Sequence, residues 1–278
     1  MRLAVGEWTG PIAEASAAIA GRMPFAAVLF LPILVRPGLY PWVAHRPDTA
    51  FRAAWLSTPF FEARTIAWLI VMSFAGRALA SAQPSKPAAA VGLIAFFLAA
   101  SAIAFDWLAS LDAQFNTSGF GLYVIALEFG AAMSMAILAG RPEETHRAGA
   151  LLLTLILLWG YFAFMQYFIP WSGNLRAGMA WYQARQHGAW PWLMGLIAAD
   201  RLTVFFLLLF RFVRHSRPWM LTLAFATLAA TVAEFAWMAV PASGAGPVEG
   251  VIYAVLAAAS LAVAWPARKA IPDAGGAA

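Results

Sequence analysis

Phe105-Asp106-Trp107-Leu108-Ala109-Ser110-Leu111-Asp112 closes an apolar run that begins near Ala88. A run of about 20 apolar residues is long enough to cross the hydrocarbon layer as a helix. A carboxylate inside such a run is costly to bury and points to a pathway, a site or an ion pair. Asp106 therefore decides both what the chain is and where its chemistry is sought.

Composition extends this reading to the whole chain. Of 278 residues, 63% are hydrophobic and 11% are charged, against roughly 25% charged in a soluble domain. The expected class is an all-α, polytopic membrane protein. The net charge of +5 comes from single basic residues in loops and forms no patch suited to nucleic acid. Cysteine is absent, which excludes disulfides, thiolate metal sites, iron–sulfur clusters and covalent c-type haem. Glu7 and Glu14 interrupt the N-terminal stretch, so it does not read as a signal peptide.

Eight spans are expected, at roughly 11–35, 59–80, 89–111, 119–140, 148–171, 188–210, 218–240 and 248–266. Pro and charged clusters such as Arg141-Pro142-Glu143-Glu144 and Arg214-His215-Ser216-Arg217-Pro218 separate them. Arg22 interrupts the first span, and residues 11–22 have the alternative of lying flat on the surface. Ten basic residues (Arg2, Arg77, Lys86, Arg141, Arg147, Arg211, Arg214, Arg217, Arg268, Lys269) fall on one side, and five (Arg36, Arg46, Arg52, Arg176, Arg185) on the other. The bias places both termini in the cytoplasm.

Counting about 1.5 Å per helical residue gives each polar residue a depth. Arg64, Asp106, Gln166 and Glu234 fall toward the outer face, and Glu128 and Asp200 near mid-membrane. Asp106 and Glu128 are the candidates for proton exchange with a quinol, since carboxylates in a low dielectric hold protons more readily. The plainer alternative is that each is paired with an arginine and only ties helices together. Arg64 matches Asp106 in depth, and Arg201 matches Glu128. Asp200 and Arg201 are adjacent and so face apart. Glu234 reads more readily as a tie between helices. His45, His146, His187 and His215 lie in loops or at helix ends, so neither a b-type haem nor a histidine-bound metal is expected within the membrane. The 13 Trp read as core and interface belt.

The stretch Asp106-Trp107-Leu108-Ala109-Ser110-Leu111-Asp112-Ala113-Gln114-Phe115-Asn116-Thr117-Ser118-Gly119-Phe120-Gly121-Leu122-Tyr123 resembles a signature of the ActF-type membrane subunit of alternative complex III. That complex is a bacterial quinol:cytochrome c oxidoreductase, and the subunit belongs to the wider NrfD/polysulfide-reductase-like family. Three further stretches are similar and follow in the family's order. They are Leu39-Tyr40-Pro41-Trp42, Pro59-Phe60-Phe61-Glu62-Ala63-Arg64, and Phe164-Met165-Gln166-Tyr167-Phe168-Ile169-Pro170-Trp171-Ser172-Gly173-Asn174-Leu175 with Trp181-Tyr182-Gln183-Ala184-Arg185. The resemblance implies two four-helix transmembrane bundles, here residues 1–140 and 141–278. It also implies a bacterial inner membrane, quinol binding near the outer face, and haem and iron–sulfur partner subunits that take the electrons; the residues themselves show no electron carrier, so no cofactor other than a quinone is expected on this chain. Gln166 and Asn174 would be polar contacts in a quinone or proton path with Arg64, Asp200, Arg201 and Glu234.

The chain departs from the family in being shorter than its roughly ten spans. Arg176-Ala177 replaces an acidic pair, and Pro37-Gly38 replaces a histidine-bearing turn. Three functions stay open: a quinol- or proton-handling subunit, a scaffold in the same assembly without a working site, and a small secondary transporter. The last would favour internal repeats and Gly/Pro-broken helices. No clear repeat is visible, and the prolines mostly mark span ends.

Overall fold

The computed structural model describes residues 9–28, 34, 38, 40–45, 49–80, 86–112, 115, 117–140 and 145–241. Helix is the only regular secondary structure among them. The helices are α1 (Thr9–Ala20), α2 (Met23–Val28), α3 (Pro41–Ala44), α4 (Ala50–Trp55), α5 (Thr58–Ala80), α6 (Lys86–Ile103), α7 (Phe120–Ala139), α8 (Thr145–Ser172), α9 (Arg176–Gln183), α10 (Trp190–Leu209), α11 (Arg211–His215) and α12 (Arg217–Ala239).

Among the described residues, five segments are long and apolar enough to cross a membrane: Lys86–Leu111, Phe120–Ala139, Arg147–Ser172, Trp190–Leu209 and Arg217–Ala239. The chain is thus an all-helical, multi-pass membrane protein. α5 has a spanning length but carries Glu62, Arg64 and Arg77. The expected first span, 11–35, does not run unbroken. α1 stops at Ala20, a turn follows at Gly21 and Arg22, and α2 restarts at Met23. Arg22 interrupts the apolar run there, and Pro24 supplies no N–H to continue the helix from α1. The expected span 248–266 lies outside the described residues.

α7 is the most enclosed of these helices, with Phe120, Gly121, Tyr123 to Leu127, Gly130 and Ser134 to Ile137 buried. It packs along α6, α8 and α12, and it also meets α1. α10 closes against both α8 and α12, so α7, α8, α10 and α12 surround one apolar core that includes Ile137, Leu152, Val204, Leu208 and Leu223. α5 and α6 pair beside this group, and α1 and α2 lean on α5. Gly76 permits that approach, because a Cβ there would sit 2.5 Å from the Ala20 carbonyl oxygen. Outward residues such as Val91, Ile94, Leu98, Leu202, Phe206 and Phe225 are exposed and apolar, as a lipid-facing surface requires.

Two local devices position the polar residues. The first follows α6. Residues Ala104–Leu108 form a π-turn, with the Ala109 N–H reaching back to the carbonyls of Ala104 and Phe105. A short 3-10 turn, Ala109–Leu111, then ends the helix. The second ends α8. The Leu175 N–H bonds the Pro170 carbonyl at 2.9 Å and the Asn174 N–H bonds that of Trp171 at 3.3 Å. Asn174 has φ 49°. This is a Schellman cap, with Asn174 in the left-handed position that glycine or asparagine fills most easily.

Candidate functional site

The candidate residues fall into two buried charge clusters and several separate side chains. The first cluster surrounds Asp106, which the π-turn after α6 points at α5. Arg64 grips both carboxylate oxygens, Nε to Oδ2 at 3.0 Å and Nη2 to Oδ1 at 3.0 Å. The Trp55 indole donates to Oδ1 at 2.9 Å, and the Trp68 indole donates to Oδ2 at 3.4 Å. Arg64 also donates to the Trp55 carbonyl at 2.7 Å, and its guanidinium lies 4.1 Å from the Trp55 ring and 4.4 Å from that of Phe60. Asp106 is 1% exposed and Arg64 7%. Next in sequence, the Trp107 indole donates to Thr65 at 3.2 Å, and Tyr40 donates to the Trp107 carbonyl at 3.3 Å. The Ser110 hydroxyl donates to the Asp106 carbonyl. An arginine fork on a carboxylate is the strongest neutralising geometry available, and here two indoles occupy the remaining lone pairs.

The second cluster lies where α7, α8, α10 and α12 meet. Glu234, fully buried on α12, accepts from the Tyr123 hydroxyl of α7 and from the Trp159 indole of α8 at 2.8 Å. Arg201 of α10 places Nη2 3.7 Å from Glu234 Oε2. The same nitrogen donates to Thr231 at 2.7 Å, and the Thr231 hydroxyl donates to the Thr227 carbonyl at 2.9 Å. A void between Gly130, Ile156, Trp159 and Arg201 is too narrow to hold a water molecule.

This arrangement corrects one expected pairing. Arg201 takes Glu234, and no ion pair reaches Glu128 among the described residues. Glu128 instead keeps a buried Oε2 without a hydrogen-bond partner. Asp200, next to Arg201, likewise has a buried Oδ2 without one. Gln166 is buried and accepts from the Thr117 hydroxyl at 3.0 Å, while its Nε2 has no partner. Asn174 is exposed and belongs to the cap described above. So Arg64 meets Asp106 and Arg201 meets Glu234, as two separate pairs among the described residues. A groove lined by Val28, Ile66, Leu69, Ile70 and Phe74 is apolar and includes none of them. No group of three His, Asp or Glu side chains suited to a metal occurs among the described residues.

Sequence reasoning missed the donors Trp55, Trp68, Tyr123, Trp159 and Thr231, and it missed Arg185. Arg185 follows α9 and is 2% exposed. It donates to the carbonyls of Trp237 at 3.1 Å and Met238 at 2.5 Å at the end of α12, and to that of Trp181 at 2.6 Å. Its guanidinium stacks 3.6 Å from the Trp181 ring. Burial lowers its pKa to about 10, partly offset by the Asp112 carboxylate. A cation at a helix C-terminus meets the negative end of the dipole, so Arg185 clamps α9 across the end of α12. The signal available in sequence was an arginine four residues after a tryptophan in a short polar helix.

No family model matches the chain, and no curated protein matches it.

Proposed function

We propose that this chain is an integral membrane subunit of a bacterial respiratory quinol:cytochrome c oxidoreductase-type complex, and that its main task there is to brace the membrane part of the assembly. The four ordered stretches between residues 39 and 185 support the complex. The observation that carries the bracing role is Asp106: both its oxygens are taken by Arg64 and by the indoles of Trp55 and Trp68. A carboxylate whose two oxygens are both taken by protein donors has no oxygen turned to a ligand, and the cluster joins α4, α5 and the turn after α6. Glu234 joins four helices in the same way. Electrons would pass between haem and iron–sulfur subunits outside this chain.

A second reading, quinol or proton handling within the same complex, is favoured by Glu128, whose buried Oε2 lacks a partner. Purifying the assembly through a tag on this chain tests the proposal. Haem absorbance and iron–sulfur resonance signals should co-purify with it, and a preparation without either would remove the respiratory reading. Saturable binding of a quinone analogue that Glu128→Gln abolishes would replace the brace by the second reading.

A further inference from the structure

We propose that Arg211, Arg214 and Arg217 form a binding site for the phosphodiester headgroup of an anionic phospholipid. These arginines lie within seven consecutive residues that link two membrane-spanning helices, α10 and α12. α11 is the short helix between them, and it is packed against α8, α10 and α12 rather than free in solvent. Arg211 and Arg214 are three apart on α11, so their side chains share one face. Arg217 opens α12 directly after Ser216, which is extended.

None of the three has an ion-pair partner among the described residues. The Arg214 stem lies against the backbone of α8, where a Cβ on Gly149 would meet it at 3.1 Å. Its Nε is buried without a hydrogen-bond partner. With no carboxylate of the described residues paired to them, these guanidinium groups have donors to offer to an acceptor from outside the protein. Exposed rings flank the arginines: Phe210 and Phe212, with centroids 5.7 Å apart, and Trp219. Phe212 is 64% exposed. Large apolar rings beside unpaired guanidinium groups at the end of membrane helices match a lipid, with acyl chains for the rings and a phosphate for the arginines. A free phosphate would use the arginines but not the rings.

The experiment is native mass spectrometry of the full chain in detergent, equilibrated with equal amounts of phosphatidylglycerol and phosphatidylcholine. The wild type should retain phosphatidylglycerol selectively. Each arginine near the surface contributes about fivefold, so the R211Q/R214Q/R217Q variant should lose on the order of 100-fold in affinity. If loss of the Arg214 packing prevents folding, R211Q/R217Q keeps that contact and should still lose roughly 30-fold. R176Q, at the far end of α8, should retain lipid as the wild type does. Equal retention of the two lipids, or unchanged retention in R211Q/R217Q, would overturn the proposal. Displacement of the lipid by inorganic phosphate, with the same protection against heat, would reassign the arginines to a free anion and overturn the lipid site.

Discussion

Tyr123 and Glu234 stand 111 residues apart in sequence, yet the phenol of one donates to the carboxylate of the other where four helices meet. Hydrogen bonds to a charged group contribute about 1.5–3 kcal/mol. Tyr123→Phe should therefore lower stability by about that amount, read as a loss of melting temperature in detergent. Glu234→Ala, which strands Arg201, should cost more, about 3–5 kcal/mol. Glu234→Gln keeps an acceptor for Tyr123 and Trp159 and should fall between them.

Asp106→Asn should destabilise the protein by about 3–5 kcal/mol, because it leaves Arg64 charged and buried without its partner. The bracing role expects quinol-dependent turnover, per assembled complex, to stay within about twofold of wild type, against the roughly 10²-fold or greater loss typical of removing an acid–base group. The double variant Arg64→Met with Asp106→Leu should recover part of the lost stability. A thermal double-mutant cycle with turnover measured on the same preparations checks all three.

Glu128→Gln should leave stability unchanged or raise it. A buried carboxylate oxygen without a partner is unfavourable when charged, and the amide removes that charge. Melting temperature gives the sign, and a fall of several degrees would mean that the Glu128 charge is compensated.

Asn174→Gly should be close to neutral, whereas Asn174→Val should cost about 1–2 kcal/mol, since a β-branched residue resists positive φ. Gly178→Ala should be worse than its size suggests, because the added methyl would lie 2.6 Å from Pro170 Cβ. Protease cleavage between α8 and α9, followed over time, should rise in both damaged variants.

The apolar runs made the membrane class legible, and lone charges at matched heights made Arg64–Asp106 legible. Height alone did not give rotation. Glu128 is five residues from Tyr123, about 140° around α7 at 3.6 residues per turn. Tyr123, Leu127 and Gly130 share the stripe that faces Glu234 and Arg201, and Glu128 falls off it. The indole donors were hidden because tryptophan is read first as apolar surface, and Trp55, Trp68 and Trp159 each add a donor through one nitrogen. Asn174 looked like a ligand contact because its polarity is visible in sequence while its φ is not.

At the widened turn Ala104–Leu108 two neighbours act as a unit. In an unbroken α-helix consecutive side chains diverge by about 100°. Here Asp106 and Trp107 both reach α5, where they engage Arg64 and Thr65, themselves consecutive. Two adjacent rungs on one strut thus lock to two adjacent rungs on the next, which fixes α5 and α6 against sliding as well as against twisting. Deleting one residue from the turn would restore an even spiral and uncouple that double latch without changing any of the four side chains.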